Sequence, residues 1–381
     1  MPQVQRAAEQ GVAAALISCV RVDSSDLQVA TAVAGVDMSV IAKAATFHGV
    51  APLVHHRLLA AGLASAPSLA DAGRAQLMRH LVDMATLREV KVALDAAGVD
   101  WLVFKGPLIA TAYERPDLRS YADVDLLVDR RQLDVALSVL LAAGCSMIDR
   151  NWPLINSQTR GEMSLMSRQF VPLDVHWTFI NEPRTRLSVQ LPVEAMLARR
   201  VPTAVGNMEL PGLEPHDELA YVAMHALLSG GHRLVWLVDL DRLIRDRHLD
   251  WAEVVRAARR DRLALPLAIG IERAQRYLGT DVPRGVVRQL APLIGWRGVV
   301  AAVDAFRSPV QSFAHGKSGR IFAQAFRGTS ASTVVGLSQE IFDRRARRLA
   351  DPMVHNPLHE DVPDDDARSR YLDRVMSEAP V

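Results

Sequence analysis

The chain has 381 residues, 49% of them hydrophobic, with a formal net charge of +1 and a mean hydropathy of +0.08. That length is enough for two or three domains, the composition excludes a disordered chain, and the near-neutral charge excludes a global field for nucleic acid or an anionic membrane. No run reaches the roughly 18 apolar residues of a membrane span, and Cys19 and Cys145, far apart in apolar contexts, make neither a disulfide framework nor a zinc site; the expectation is a reducing cytoplasm.

Residues 1–98 read as helical, with apolar positions at three- and four-residue spacing from Asp26 onward and over 38–48 and 51–63. The stretch 68–97 carries a long amphipathic pattern: Leu69, Leu77, Leu81, Met84, Leu87, Val90 and Leu94. The adjacent His55 and His56 point about 100° apart on a helix, so they read as structural rather than as a metal pair.

From Asp100 the texture changes to strand–helix alternation. Strands are expected at 101–104, 123–128 and 145–148, with helices at 107–113, opened by Pro107, and 131–143, closed by Gly144. An antiparallel pair at 163–167 and 171–177 completes a small sheet domain over residues 99–200. Residues 201–330 are expected to form a helical domain with helices at 217–228, 234–247, 251–259 and 263–278. The segment 331–381 reads as an amphipathic helix near 338–350 and a polar, solvated tail around Asp364-Asp365-Asp366. The fold class that follows is α+β, a mixed sheet between helical flanks.

The chemistry concentrates in Trp101–Val128 and in LDVHW, residues 173–177. Asp123 and Asp125 share one strand face, because side chains alternate with period two, and stand roughly 6–7 Å apart. Asp174 sits on another strand among apolar residues. Three carboxylates gathered at one sheet repel unless protonated or bridged by cations, and oxygen ligands of this kind suit Mg²⁺. Two such ions would serve phosphoryl or nucleotidyl transfer, with Asp123 and Asp125 binding both and Asp174 completing the site. His176 shares a face with Asp174, placed to orient it, to take a proton from an acceptor hydroxyl, or to pack. Lys105-Gly106-Pro107 offers an ammonium, a glycine that admits a phosphate close to the backbone, and a helix start. Arg119 offers a two-pronged phosphate contact and Ser120 a hydroxyl; the competing reading for Lys105 and Arg119 is a salt bridge to the aspartates themselves.

The run FKGPLIATAY…RSYADVDLLV followed by LDVHW resembles the nucleotidyltransferase-like proteins of the polymerase-beta superfamily. It is most similar to a bacterial branch whose signature is a Lys-Gly turn, Arg-x-x-Gly-Asp-Ile-Asp-Leu-Leu-Val, and Asp-x-His-Trp. FHGVAPLVHHRL and MHALLSGGHRLVWLVDLDRLI extend the resemblance into both helical flanks, over about residues 40–280. The resemblance implies a Mg²⁺-bound nucleoside triphosphate such as ATP and transfer of a nucleoside monophosphate to an acceptor. The chain departs from the wider superfamily in lacking its Gly-Ser turn, and from the branch in carrying Ala122 where glycine is common.

With no basic groove, the expected acceptor is a small hydroxyl- or amine-bearing metabolite or a peptide, with nucleic acid and membrane disfavoured. Two rivals accompany this reading: a catalytically silent protein that keeps the fold for binding, and a toxin-type nucleotidyltransferase acting on tRNA or protein. A metal phosphohydrolase built on His216, Asp217, His225, His232 and Asp239 fails on helical spacing, because Gly230-Gly231 falls between the last two histidines.

Overall fold

The computed structural model describes residues 2–181, 183–186, 191–229, 231, 233–291, 298, 300–302, 304–305, 310 and 356–378. The expected helix near 338–350 and His232 lie outside the described residues. The chain forms two compact units, each assembled from three separate segments. One comprises Met1–Met78, Ala112–Tyr121 and Glu218–Glu340, the other Arg79–Thr111, Ala122–Asp217 and Ile341–Val381.

The first unit is helical. Its N-terminal helices are α1 (Pro2–Val20), α2 (Asp26–Val33), α3 (Met38–Phe47) and α4 (Ala51–Ala60), followed by the beginning of α5 (Pro67–Ala96). Ser25 and Gln28 close α2 with a reciprocal capping box, and Asp37 caps α3 through the Ser39 N–H. The C-terminal half of the unit contains α11 (Pro215–Leu228), which starts in the other unit, then α12 (Leu234–Asp246), α13 (Trp251–Arg260), α14 (Ala264–Leu278) and α15 (Val286–Leu290). The two halves are joined at His48, whose Nδ1 and carbonyl accept the Leu234 and Val235 N–H groups. Among the described residues no single helix is long and apolar enough to cross a membrane.

The second unit is built on a seven-stranded mixed sheet in the order β3-β4-β5-β2-β1-β7-β6. The strands are β1 (Trp101–Val103), β2 (Val124–Val128), β3 (Ser146–Met147), β4 (Glu162–Met166), β5 (Pro172–His176), β6 (Val201–Val205) and β7 (Met208–Gly212). The central strand β2 is buried along its whole length, antiparallel to β1 and parallel to β5. Helices α7 (Leu133–Ala142) and the later part of α5 supply Leu87, Val90, Leu94, Leu133, Leu137 and Leu140 to a core shared with Trp101, Val103, Leu126 and Val175.

Four elements differ from what the sequence suggests. The helix expected at 107–113 is the four-residue α6 (Pro107–Ala110), and the strand expected at 123–128 begins at Val124. Residues 201–212 form a hairpin rather than part of a helical domain, with Val205 opposite Met208 across the two-residue turn Gly206-Asn207. β7 then joins the sheet beside β1 through Val103 and Gly212, whose neighbours Leu108 and Thr203 leave no room for a Cβ. The acidic tail is not a solvated strand of charge: Asp364 caps α16 (Asp365–Ser377), which buries Ala367, Tyr371, Leu372 and Val375. The aspartates occupy its first turn, where negative charge suits the helix dipole, and Tyr371 receives the Trp177 indole N–H at 3.1 Å.

Candidate metal and nucleotide site

The pairing of β2 with β5 and of β5 with β4 produces one polar row across an otherwise apolar sheet. Asp125 stands opposite Asp174, and Asp174 opposite Ser164; one step along, His176 stands opposite Glu162. Because residues two apart share a face, Asp125, Asp174, His176, Ser164 and Glu162 all project from the same side. The opposite face is the core, so a polar residue every second position is what a half-buried strand permits.

Distances tie the row together. The Lys105 Nζ donates to Asp125 Oδ1 at 2.8 Å, and the same oxygen lies 3.2 Å from His176 Nε2. The Ser164 hydroxyl donates to Asp174 Oδ1 at 2.7 Å. His176 Nδ1 faces Glu162 Oε2 at 3.6 Å. The edge of Phe104 meets the His176 ring, with centroids 5.0 Å apart. Asp125 Oδ2 is buried and has no hydrogen-bond partner.

Lys105 reaches Asp125 because of the turn that follows β1. Gly106 adopts φ 53° and ψ −117°, a conformation closed to side chains with a Cβ, and the Leu108 N–H donates back to the Lys105 carbonyl at 3.2 Å. The salt bridge considered for Lys105 is therefore formed. With one turn of helix behind Pro107, the local dipole is small, and the positive charge here is chiefly the ammonium.

Electrostatics divide the carboxylates. Burial pushes Asp125 up, but the Lys105 ammonium and His176 outweigh it and hold the group well below the ordinary carboxylate range. Asp174 is raised, first by burial and then by Asp125 and Asp123, against the pull of Ser164 and His176. Glu162 is raised as well, chiefly by burial. The row thus holds one carboxylate stabilised in its charged form beside two whose affinity for a proton is raised and which a further cation would relieve.

The remaining site candidates separate. Asp123 lies half-buried just before β2, and its charge bears on Asp174 and on Asp83. Arg119 and Ser120 belong to the helical unit. There the Arg119 fork is bound at both prongs by Asp239, each contact 2.8 Å, and Tyr113 donates to the same carboxylate at 2.7 Å. This corrects the expectation of an open phosphate fork: Arg119 is 8% exposed and engaged with a residue 120 positions away. Neither of the salt bridges considered for it, to Asp123 or Asp125, is the one that ties up the fork. His225 is half-buried, stacks on Tyr221 and meets Trp236 edge-on.

Two residues that sequence reasoning passed over belong with the site. Glu162 opens β4 and faces His176. Asp83, on α5, is fully buried and held by Arg79 Nε at 2.9 Å, while Arg79 Nη2 donates to the Ala122 carbonyl immediately before Asp123. Burial raises Asp83 to about 6. An i, i+4 Arg–Asp pair on a helix is an ordinary surface pattern, so only its burial marks it.

The donor set suits a divalent cation. Among the described residues one group qualifies, Asp125, Asp174 and His176, whose ligand atoms all lie within 4.8 Å of one another. The buried Asp125 oxygen without a hydrogen-bond partner has lone pairs that such an ion would accept.

The mixed sheet thus presents adjacent carboxylates on parallel strands beside a lysine on a glycine turn. Residues 34–279 match the family model described as uncharacterised nucleotidyltransferase, and the chain belongs to that family. No curated protein matches the chain.

Proposed function

We propose that this chain is a Mg²⁺-type, divalent-cation-dependent nucleotidyltransferase of the polymerase-beta superfamily. It would move a nucleoside monophosphate from a nucleoside triphosphate to a small hydroxyl- or amine-bearing metabolite or a peptide. The observation that carries this reading is Asp125 beside Asp174 in register, with a buried, unpartnered Asp125 oxygen and Lys105 at 2.8 Å.

Asp125 and Asp174 would hold the cation, and Asp123 at the mouth of β2 would contribute to a second. Bound there, such ions neutralise phosphate charge and lower the cost of ionising the acceptor oxygen. With cations supplying the counter-charge of Asp125, Lys105 would be available to the triphosphate, and Gly106 would let phosphate approach the backbone. Asp174, in register beside Asp125, would accept the acceptor proton. The acceptor oxygen or nitrogen forms a bond to the α-phosphorus, the α–β bridging bond breaks, and pyrophosphate leaves. His176 completes the proposed set as a positioning group.

Incubating the protein with labelled ATP, GTP, CTP and UTP and Mg²⁺, with metabolite and peptide fractions as acceptors, tests the reading. Transfer that disappears in Asp125→Asn supports it. A wild-type protein whose thermal stability no metal–nucleotide pair raises refutes it, because a ligand of the folded state must stabilise it. Stabilisation without transfer to any acceptor would identify the silent binding protein, a reading favoured by the absence of a Gly-Ser turn. Growth arrest on expression, abolished by Asp123→Ala, would identify the toxin-type enzyme.

A further inference from the structure

The histidine of LDVHW has three open roles on sequence alone, and its surroundings choose among them. His176 is 4% exposed and sits between two carboxylates, Asp125 on the neighbouring strand to one side and Glu162 on the other. Its Nε2 points into the polar row, 3.2 Å from Asp125 Oδ1, and its Nδ1, without a hydrogen-bond partner, points at Glu162 Oε2, 3.6 Å away. Glu162 is itself fixed by Arg160 Nη2 at 2.9 Å and by the Asn181 side-chain amide. Phe104 holds the ring plane.

A carboxylate behind one imidazole nitrogen and an open ligand cluster before the other is the arrangement of a metal-binding histidine. A cation arriving at the row would take the place of the hydrogen that Nε2 shares with Asp125, and the Glu162 carboxylate 3.6 Å from Nδ1 stands where it can receive that hydrogen on the other nitrogen. The forward cluster is already present: Nε2 lies within 4.8 Å of the Asp125 and Asp174 ligand oxygens.

We infer that His176 Nε2 is a cation ligand alongside Asp125 and Asp174, positioned by Glu162, and that the site therefore prefers a divalent transition ion of the Mn²⁺ class over Mg²⁺. This rests on the cation-dependent reading above and concerns which ion that reading employs. Mg²⁺ holds to oxygen ligands and keeps its waters, whereas imidazole binds the first-row transition ions with increasing strength from Mn²⁺ onward. An all-carboxylate site has no such bias; one nitrogen among the ligands introduces it.

The test uses the full chain loaded with Mn²⁺ alone, without nucleotide. Pulsed electron paramagnetic resonance of bound Mn²⁺ detects a directly coordinated imidazole nitrogen through its modulation of the spin echo. The expected spectrum shows that nitrogen in the wild type and in Glu162→Gln and loses it in His176→Gln. Calorimetry should find Mn²⁺ affinity reduced about 10–100-fold by His176→Gln and about 10-fold by Glu162→Gln. Mg²⁺ affinity should fall by no more than about 3-fold in either variant, since its ligands are oxygen. Mn²⁺ that binds in an Asp125-dependent way but shows no nitrogen coupling overturns the inference while leaving cation-dependent transfer standing. Equal losses for both ions overturn it as well. Absence of binding by either ion overturns both this inference and the reading beneath it. The wild-type spectrum decides the point even where a variant fails to fold.

Discussion

The Lys105–Asp125 pair supports a quantitative test that needs no substrate. At 2.8 Å, the two charges attract with about 6 kcal/mol at an effective dielectric of about 20. Desolvating both ions offsets roughly half of this. Breaking a buried pair by removing one partner costs about 3–5 kcal/mol, and the lower end applies because the Lys105 side chain retains 19% of its surface. Lys105→Met is therefore expected to lower stability by about 3 kcal/mol, leaving a 2%-exposed carboxylate with only His176 to compensate it. Asp125→Asn should cost a similar amount. The double variant, with neither charge left, should recover about 2 kcal/mol relative to the sum of the two. Urea unfolding of the four proteins at pH 7 measures this coupling. The acid limb gives a second reading. Because the folded-state Asp125 is depressed below its ordinary value, its contribution is fully present above about pH 4 and is lost as pH falls further; Lys105→Met should blunt that loss. A coupling energy below about 0.5 kcal/mol would refute the claim that this pair anchors the site.

Gly106→Ala, which forces a Cβ into φ 53°, should cost about 1–3 kcal/mol in the same urea experiment; a cost within error of zero would show that the turn relaxes freely. In the helical unit, Arg119→Met strands the 2%-exposed Asp239 and Tyr113 and should destabilise by about 3–5 kcal/mol, with Arg119→Lys recovering less than half because it cannot make the two-pronged contact. Asp83 has the opposite sign from Asp125. Its folded-state pKa is raised to about 6, so the fold favours its protonated form and loses stability as pH rises from about 4 to about 6. Asp83→Asn should flatten that part of the stability–pH profile, and an unchanged profile would refute the assignment. Tyr371→Ala, which empties a fully buried position under α16, should cost about 3–5 kcal/mol; a negligible change by thermal melting would return the tail to solvent.

Local patterns carried far in this chain because they report local physics. Alternation around Asp123-Val124-Asp125 and Leu173-Asp174-Val175-His176 identified two strands whose polar residues share a face, and the long helix α5 and helices α12 to α14 followed from apolar periodicity. The Lys-Gly-Pro turn was equally plain, since only glycine takes the conformation found at Gly106. The hairpin at 201–212 had its signal too, in Gly206-Asn207 between short apolar runs, but a two-strand ribbon has no one-face pattern strong enough to outweigh helical neighbours.

Partner choice was another matter, because it depends on register and on chain segments that meet only after folding. Nothing near Arg119 distinguishes a phosphate ligand from the partner of an aspartate 120 residues away. Nothing near Glu162 says that strand pairing will set it opposite His176, or that Arg79 will reach the Ala122 carbonyl. The sequence alone determined which residues bear the charge and on which face of each strand they lie, since that follows from a two-residue repeat. The tertiary structure decided which charges neutralise one another, Asp125 with Lys105 and Arg119 with Asp239, and set the His176 ring between Asp125 and Glu162. Burial makes each of those choices costly to reverse.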